Sequence, residues 1–194
     1  MKKVFSALMA VVLVVGCLTG CSNKKAFEQS EIIRVLEKHG FEKADSYSDM
    51  YSNNRDGLYY VTEDEDEARR YASLNCSMKS VLNSNITEDL EDEHWTTSLI
   101  LFSFEESDDA EDQFYRWVDY LSDNYDVDFG EKDGYQYVCY AKIIKSHNVV
   151  SKGAAYLCGN NLLAIEGYCN EDGKTGFGNH IFKELGLVEP KVKD

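Results

Sequence analysis

The chain has a single proline, an excess of acidic over basic residues, and none of several short motifs that mark common catalytic sites. Pro190 is the only proline in 194 residues, which excludes a proline-rich stalk or spacer. The motifs G-x-S-x-G, H-E-x-x-H and G-x-G-x-x-G and the P-loop are absent. No C-x-x-C occurs, which removes the usual signature of a thioredoxin-like redox site and of a zinc ribbon. We therefore assign no catalytic residue, no metal site and no cofactor from the sequence.

The charge of the chain is strongly one-sided. It has 35 Asp and Glu against 20 Lys and Arg, a net charge of -15. Such a field repels the phosphate backbone of nucleic acids, so we expect no nucleic-acid partner. The chain is nevertheless not a disordered acidic tail, because 13 Tyr, 9 Phe and 2 Trp are spread along it. Disordered acidic segments are poor in aromatic residues.

The first 21 residues have the layout of an export signal. A basic pair precedes an apolar run from Val4 to Gly16 that is too short to serve as a permanent membrane-spanning helix. The residues that follow, Leu18-Thr19-Gly20-Cys21, resemble the lipobox of bacterial lipoproteins. The resemblance covers only residues 1–21. It implies that the sulfur of Cys21 receives a diacylglycerol and that cleavage makes Cys21 the first residue.

This resemblance divides the chain and implies where it is held. Residues 1–20 are expected to be a lipoprotein signal peptide, and residues 21–26 the lipidated cysteine with a short tether. Lys2 and Lys3 are the only charges in the signal, so the rest keeps 18 basic and 35 acidic residues, a net charge of -17. Two acyl chains, at about 0.8 kcal/mol per buried methylene, would anchor the protein stably to the extracytoplasmic side of a membrane. The alternative is an ordinary secreted protein in which Cys21 stays a plain thiol.

Four cysteines remain beyond the tether: Cys76, Cys139, Cys158 and Cys169. In an exported domain they permit two disulfides in three connectivities, and four buried thiols are the equal alternative. Segments 135–144 and 153–158 are predicted to be consecutive antiparallel strands, and a turn centred near Val149 would place Cys139 nearly opposite Cys158. A Cys139–Cys158 disulfide is therefore the candidate bridge, if the two Cα atoms approach within roughly 4.4–6.8 Å.

The hydrophobic pattern predicts a single α+β domain over residues 27–188 and a frayed tail over residues 189–194. Helices are predicted at 27–38, after Thr62 to about 82, after Ser107 to about 125, and in a short segment that ends at 185–186. Strands are predicted at 58–61, 97–104, 135–144, 153–158 and 162–168. These elements favour a mixed or antiparallel sheet of about five strands, with helices packed mainly on one face.

Polar clusters in the chain are weak candidates for a site. Residues 123–131 alternate oxygen ligands as a calcium loop does, but Phe129 stands where an EF-hand loop needs glycine. The four histidines are scattered singly, which favours surface positions over metal ligands. Cys139 with His147 and Asn148 would suit a thiol nucleophile, but a strand cysteine without an electropositive setting is usually buried packing.

Tyrosine is the one residue type that suggests recognition, since the chain has more of it than a core needs. Tyrosine is an efficient contact residue, although packing of a half-covered sheet face would also use it. The ten tyrosines considered are Tyr47, Tyr51, Tyr59, Tyr60, Tyr115, Tyr120, Tyr135, Tyr137, Tyr140 and Tyr156. We predict a lipid-anchored binding or interaction module for an unknown protein or small-molecule ligand. The alternative is a lipid-anchored hydrolase whose carboxylates meet only in the fold, and a deep cleft with converging carboxylates would favour it.

Overall fold

The computed structural model describes residues 27–52, 57–72, 76–90, 93–170 and 176–193. Cys21 and the signal lie outside these residues, so lipidation stays a prediction. The helices are α1 (Gln29–Lys38), α2 (Tyr47–Ser52), α3 (Glu65–Ala72), α4 (Ser107–Asn124) and α5 (Phe177–Glu184). The strands are β1 (Glu42–Lys43), β2 (Leu58–Thr62), β3 (Met78–Leu90), β4 (Glu93–Phe104), β5 (Asp128–Lys132), β6 (Tyr135–Ile144), β7 (Val149–Cys158) and β8 (Asn161–Asn170).

The strands form one sheet in the order β1-β2-β3-β4-β8-β7-β6-β5. Only β1 and β2 pair in parallel, and all the other neighbours are antiparallel. Two meanders, β2–β4 and β5–β8, join where Ser98–Ser103 of β4 pairs with β8. A mixed sheet with helices is thus confirmed, but the prediction of about five strands is wrong, because the described residues contribute eight.

Strand β3 differs most from the structure that its sequence predicts. The apolar residues after Glu65 follow a helical spacing, yet α3 ends at Ala72 and Met78–Leu90 is a long strand. Val81 and Leu82 are both buried, but they belong to hydrophobic clusters on opposite faces of the sheet. The strand buries polar residues such as Asn83 and Ser84 beside its apolar ones, so it shows neither a regular alternation nor a continuous apolar run, and its few apolar residues fit a helical spacing instead.

Helices cover both faces of the sheet, so the prediction that they pack mainly on one face is wrong. Helices α1 and α5 share a buried cluster with Leu101 and Leu163, and we call this side the α1 face. Helices α3 and α4 share the other cluster with Phe102 and Leu162, and this side is the α4 face. Strand β7 shows why helices pack on both faces: all ten of its positions are buried, because its apolar residues point to both faces.

The sheet has two distinct ends. At the hairpin end lie the tip of the β3–β4 hairpin, the β6–β7 turn and the last residues of β8. At the opposite end β6 begins with Tyr135, and here the described chain enters the domain. Phe27 packs its ring against Tyr135 and Tyr156, at centroid distances of 5.8 and 6.3 Å.

The C-terminal segment is docked on the domain, where a frayed tail was expected from residue 189. The backbone N–H of Val188 donates to the Tyr135 hydroxyl, and the Tyr156 hydroxyl donates to the Val188 carbonyl. The Lys152 ammonium lies 2.6 Å from a Glu189 carboxylate oxygen. These contacts hold the segment across the α1 face, and a final ion pair of Lys193 with Asp126 and Asp128 holds its end.

The β6–β7 register leaves Cys139 and Cys158 apart. The turn is Lys145–Asn148, and Asn148 closes it at φ 51°, so β7 begins at Val149 rather than at Gly153. Cys139 therefore lies opposite Ala154, four residues from Cys158, or roughly 14 Å at ~3.4 Å per residue. The structure does not form the predicted Cys139–Cys158 disulfide, and Cys76, Cys139, Cys158 and Cys169 are not joined in disulfide bonds.

Candidate functional site

An open groove lies on the α4 face at the hairpin end, directly beyond the last residue of α4. Ala110, Phe114 and Leu121 form the buried stripe of this helix, which covers the sheet as far as Asn124 and leaves the next row of strand side chains uncovered. The resulting cavity has a volume of about 530 Å³. We call this cavity the tyrosine groove, and its lining residues are Tyr125, Lys142, Ile143, Ile144, Lys145, Ser146, Ser151, Glu166 and Tyr168.

The floor of the groove is a row of side chains on three neighbouring strands. Lys142 lies opposite Ser151, and Ser151 lies opposite Tyr168. Antiparallel partners on one face are about 4.5–5.5 Å apart, so the three residues form a continuous line. Glu166 lies two residues before Tyr168 and therefore on the same face. The Tyr168 hydroxyl donates to a Glu166 carboxylate oxygen at 3.3 Å.

Tyr125 is the wall of the groove, and the stack beneath it holds it in place. Its ring lies parallel to the ring of Tyr140, with centroids 3.8 Å apart and planes 6° from each other. The Tyr140 ring in turn covers Gly153, where a Cβ would overlap it. The Tyr140 hydroxyl lies 3.3 Å from the Ser151 hydroxyl. The absence of a side chain at Gly153 thus lets two aromatic rings stack on the sheet.

The polar groups of the groove suit hydrogen bonding. Burial raises the pKa of Tyr168 to about 12, with Glu166 adding to the effect, so the phenol stays neutral at physiological pH. Burial also raises the pKa of Tyr140 well above its ordinary value. Neutral phenols and serine hydroxyls both donate and accept, whereas the carboxylate of Glu166 only accepts. Two ammonium groups, of Lys142 and Lys145, complete the lining.

Tyr168 also connects the groove to the tip of the β3–β4 hairpin. The Trp95 ring lies 4.8 Å from the Tyr168 ring and 5.6 Å from that of His147. His147 Nδ1 is 3.0 Å from a Glu93 carboxylate oxygen, which ties the hairpin to the β6–β7 turn. The indole N–H of Trp95 is buried and has no hydrogen-bond partner in the described part of the chain. Trp95 is therefore a natural optical reporter of the state of Tyr168.

A second cavity, of about 400 Å³, lies at the hairpin end on the α1 face, beside His39, Glu88, Phe177 and His180. Glu88 accepts the backbone N–H of Phe177 at 2.7 Å and so caps the first turn of α5. Burial raises the pKa of Glu88. The neighbouring Asp89 is exposed and bonds to His94 instead. Both carboxylates line the cavity, but Glu88 serves as a cap of α5 and Asp89 is paired with His94.

The candidate site residues that the sequence suggested lie apart from one another in the structure. Cys139 is buried on the α1 face, and burial raises the pKa of its thiol to about 12. His147 is engaged with Glu93, away from that thiol. The 123–131 segment has its Asp126 and Asp128 carboxylates paired with Lys193. Within the described ranges no group of three or more His, Cys, Asp or Glu side chains is arranged to hold a metal ion.

Most of the groove residues were not identified from the sequence. Of the ten tyrosines considered, Tyr140 supports the groove, while Tyr135 and Tyr156 are buried on the α1 face. Tyr125 falls at the end of the helix predicted after Ser107, and Tyr168 falls at the end of the strand predicted at 162–168. A signal was present, because Glu166 and Tyr168 are the alternate polar positions of an otherwise apolar strand.

Comparison of the chain with protein-family models, with curated proteins and with solved structures finds no match. Among the helices of the described residues, none combines the length and apolar character needed to cross a membrane. The function is therefore inferred from the groove itself.

Proposed function

We propose that this protein is an extracytoplasmic lipoprotein, anchored through Cys21, that binds a small ligand in the tyrosine groove. The observation that carries the proposal is an aromatic wall, Tyr125, placed beside the polar row of Lys142, Ser151 and Tyr168. The cavity volume of about 530 Å³ falls in the range of roughly 300–1,000 Å³ that is typical of small-molecule sites.

The position of the groove suits an anchored binding protein. The chain enters the domain where Phe27 packs on Tyr135, at the start of β6, whereas Lys142 lies seven residues along the same strand. At ~3.3 Å per residue this places the groove roughly 23 Å from the entry point. A lipid at Cys21 would therefore hold the end of the sheet that is remote from the groove.

The alternative, a lipid-anchored hydrolase, has less support. A carboxylate pair that performs hydrolysis needs an acid and a base or nucleophile on either side of one reacting bond. The tyrosine groove contains one carboxylate, Glu166. The second cavity is lined by both Glu88 and Asp89, but Glu88 is held by the Phe177 N–H and the exposed Asp89 is paired with His94. The groove therefore supports binding better than it supports hydrolysis.

Ligand screening with Trp95 as reporter tests this function. The chain has 2 Trp, so Trp117→Phe in the full-length lipidated protein leaves Trp95 alone. We expect at least one class in a library of sugars, amino acids, amines, organic acids and nucleosides to change Trp95 emission and raise Tm. Tyr168→Ala should abolish the Tm increase, because it removes one side of the groove.

Tyr120→Ala provides the matched control, because Tyr120 is an exposed tyrosine on α4 that does not line the groove. It should bind the same compounds as the parent protein. A library without a single binding compound, or a compound that binds Tyr168→Ala as tightly as the parent, would show that the groove is not the binding site.

A further inference from the structure

We propose that the ligand of the tyrosine groove is a saccharide that carries a carboxylate, an inference that rests on the groove being a binding site. The groove offers three kinds of group side by side: an aromatic wall, a row of neutral hydroxyls, and a pair of ammonium groups. A uronic acid matches all three kinds, because it has an apolar ring face for the aromatic wall, hydroxyls for the hydroxyl row and a carboxylate for the ammonium groups.

The aromatic and hydroxyl groups favour a sugar ring. The C–H face of a saccharide is apolar and flat enough to lie against a tyrosine ring such as Tyr125. Each sugar hydroxyl both donates and accepts, as do the hydroxyls of Ser151 and Tyr168, while Glu166 accepts only. A flat aromatic compound without hydroxyl groups would leave this row of polar groups unmatched, at a cost in desolvation.

The ammonium groups favour a negative charge on that sugar. Lys142 lies two strands from Tyr168 on the same row, so about 10 Å separates their Cα atoms, enough for one sugar ring with its carboxylate. Lys142 and Lys145 are exposed and have no ion-pair partner among the described residues, as is also true of Lys43, Lys132, Lys183 and Lys191, so both ammonium groups of the groove are available to a carboxylate.

Other small ligands fit the groove less well. An amine would meet one carboxylate, that of Glu166, and would be repelled by two lysines. A neutral sugar would leave both ammonium groups without a partner. The rest of the domain is strongly acidic, whereas the groove has two lysines and one glutamate, so the groove is where an anion would bind. The attraction between the ammonium groups and the anion acts over less than the Debye length of about 8–10 Å, so salt screens it only in part.

Titration of simple probes tests the inference in the full-length lipidated Trp117→Phe protein. The probes are glucuronate, galacturonate and their short oligomers, with glucose, galactose and ethanolamine for comparison. We expect the uronates to bind, with an affinity that decreases as sodium chloride is added. The double variant Lys142→Met/Lys145→Met should weaken uronate binding about tenfold, because both ammonium groups are removed. Lys132→Met, on the exposed edge strand β5 outside the groove, is the control and should leave binding unchanged.

The possible failures are distinguishable. Neutral sugars that bind as tightly as uronates, or ethanolamine binding that is lost in Glu166→Gln, would overturn the acidic-saccharide inference and leave the groove as a binding site. If none of these probes binds and another class of compound binds in the groove, the acidic-saccharide inference is likewise overturned and the groove remains a binding site. Uronate binding that survives both Tyr168→Ala and the double lysine variant would overturn the inference and the proposed site together.

Discussion

The aromatic ring of Tyr140 lies directly over Gly153 of the neighbouring strand, in the space that the Cβ of any other residue would occupy. Tyr125, just beyond the end of α4, then stacks on the outer side of the Tyr140 ring. Tyr140 can support Tyr125, the wall of the tyrosine groove, only because residue 153 is a glycine and leaves room for the Tyr140 ring. This relationship makes the groove sensitive to a substitution that alters no residue in its lining.

Gly153→Ala is expected to disturb this stack. A Cβ at this position would lie 2.8 Å from Cζ of Tyr140 and closer still to the ring edge, so the ring must move and the stacked Tyr125 with it. Overpacking of this kind typically costs about 1–3 kcal/mol of unfolding free energy. Urea unfolding measures the loss, and the ligand found by screening should bind more weakly.

Gly130→Ala is the matched control for this prediction. A Cβ there would meet the Tyr137 hydroxyl at 2.9 Å, the far end of a side chain that can turn away. Its cost should stay within about 0.5 kcal/mol. In a Tyr140→Ala background Gly153→Ala should cost much less than in the parent protein. An equal cost in both backgrounds would contradict the overlap as the cause.

Gly178→Ala is expected to be more damaging still. A Cβ at Gly178 would lie 2.5 Å from the Tyr168 nitrogen and 2.7 Å from its carbonyl oxygen, which are backbone atoms that cannot turn aside. Helix α5 would have to move off β8, at a cost at or above the upper end of about 1–3 kcal/mol. Thermal unfolding measures it, and Lys183→Ala on the exposed side of α5 serves as the control. A Tm close to that of the parent protein would refute this tight packing of α5 on β8.

The pH dependence of stability should reveal the buried Glu88. Burial raises its pKa, while the Phe177 N–H and the charges of His180 and His39 oppose that increase. Because the folded pKa lies above the unfolded value, protonation of Glu88 favours folding. That contribution is complete below the unfolded pKa, near 4.3, and is lost as pH increases through the folded pKa.

Glu88→Gln keeps a carbonyl oxygen for the Phe177 N–H and removes the titration. The variant should therefore gain stability relative to the parent protein as pH increases from about 4 towards neutrality. Urea unfolding at several pH values measures the difference between the two proteins. A constant difference for Glu88→Gln across this range would contradict the raised pKa.

Lipid attachment is tested at Cys21. Cys21→Ala should accumulate as an unprocessed precursor or be released, because the acylated sulfur directs cleavage and anchoring. Cys17→Ala, within the same signal, should be processed and lipidated as the parent protein is. Mass spectrometry of the N-terminal peptide decides the matter, and an unmodified Cys21 or a cleavage site elsewhere would end the lipoprotein assignment.

Helix α4 shows which parts of the fold were accessible from the sequence. Its buried stripe of Ala110, Phe114 and Leu121 and its acidic first turn predicted a helix from Ser107 to about residue 125, and the helix ends at Asn124. Such a surface helix has one apolar stripe, which its periodicity reveals. Strand β3 was missed because it buries residues on both faces, and β5 because Asp128–Lys132 is a largely exposed edge strand without an apolar pattern.

The groove was beyond prediction for a different reason. Tyr125, Ser151 and Tyr168 come from three separate segments and meet only through the register of β6, β7 and β8. That register depends on a four-residue turn closed by Asn148 at a positive φ. The hydrophobic pattern predicts the centre of this turn near Val149, a shift of a few residues that also underlies the Cys139–Cys158 prediction. Cross-strand sites require the register to be correct to one residue.

The central claim, that a small ligand occupies the tyrosine groove, is tested most directly by NMR of the protein with isotope-labelled tyrosine rings. The chain has 13 Tyr, which are assigned by single Tyr→Phe variants. On titration with the ligand found by screening, we predict shifts of the Tyr125, Tyr140 and Tyr168 ring signals, with Tyr47, Tyr59 and Tyr120 unchanged. Shifts at the latter tyrosines, without a change at Tyr125 and Tyr168, would contradict the account.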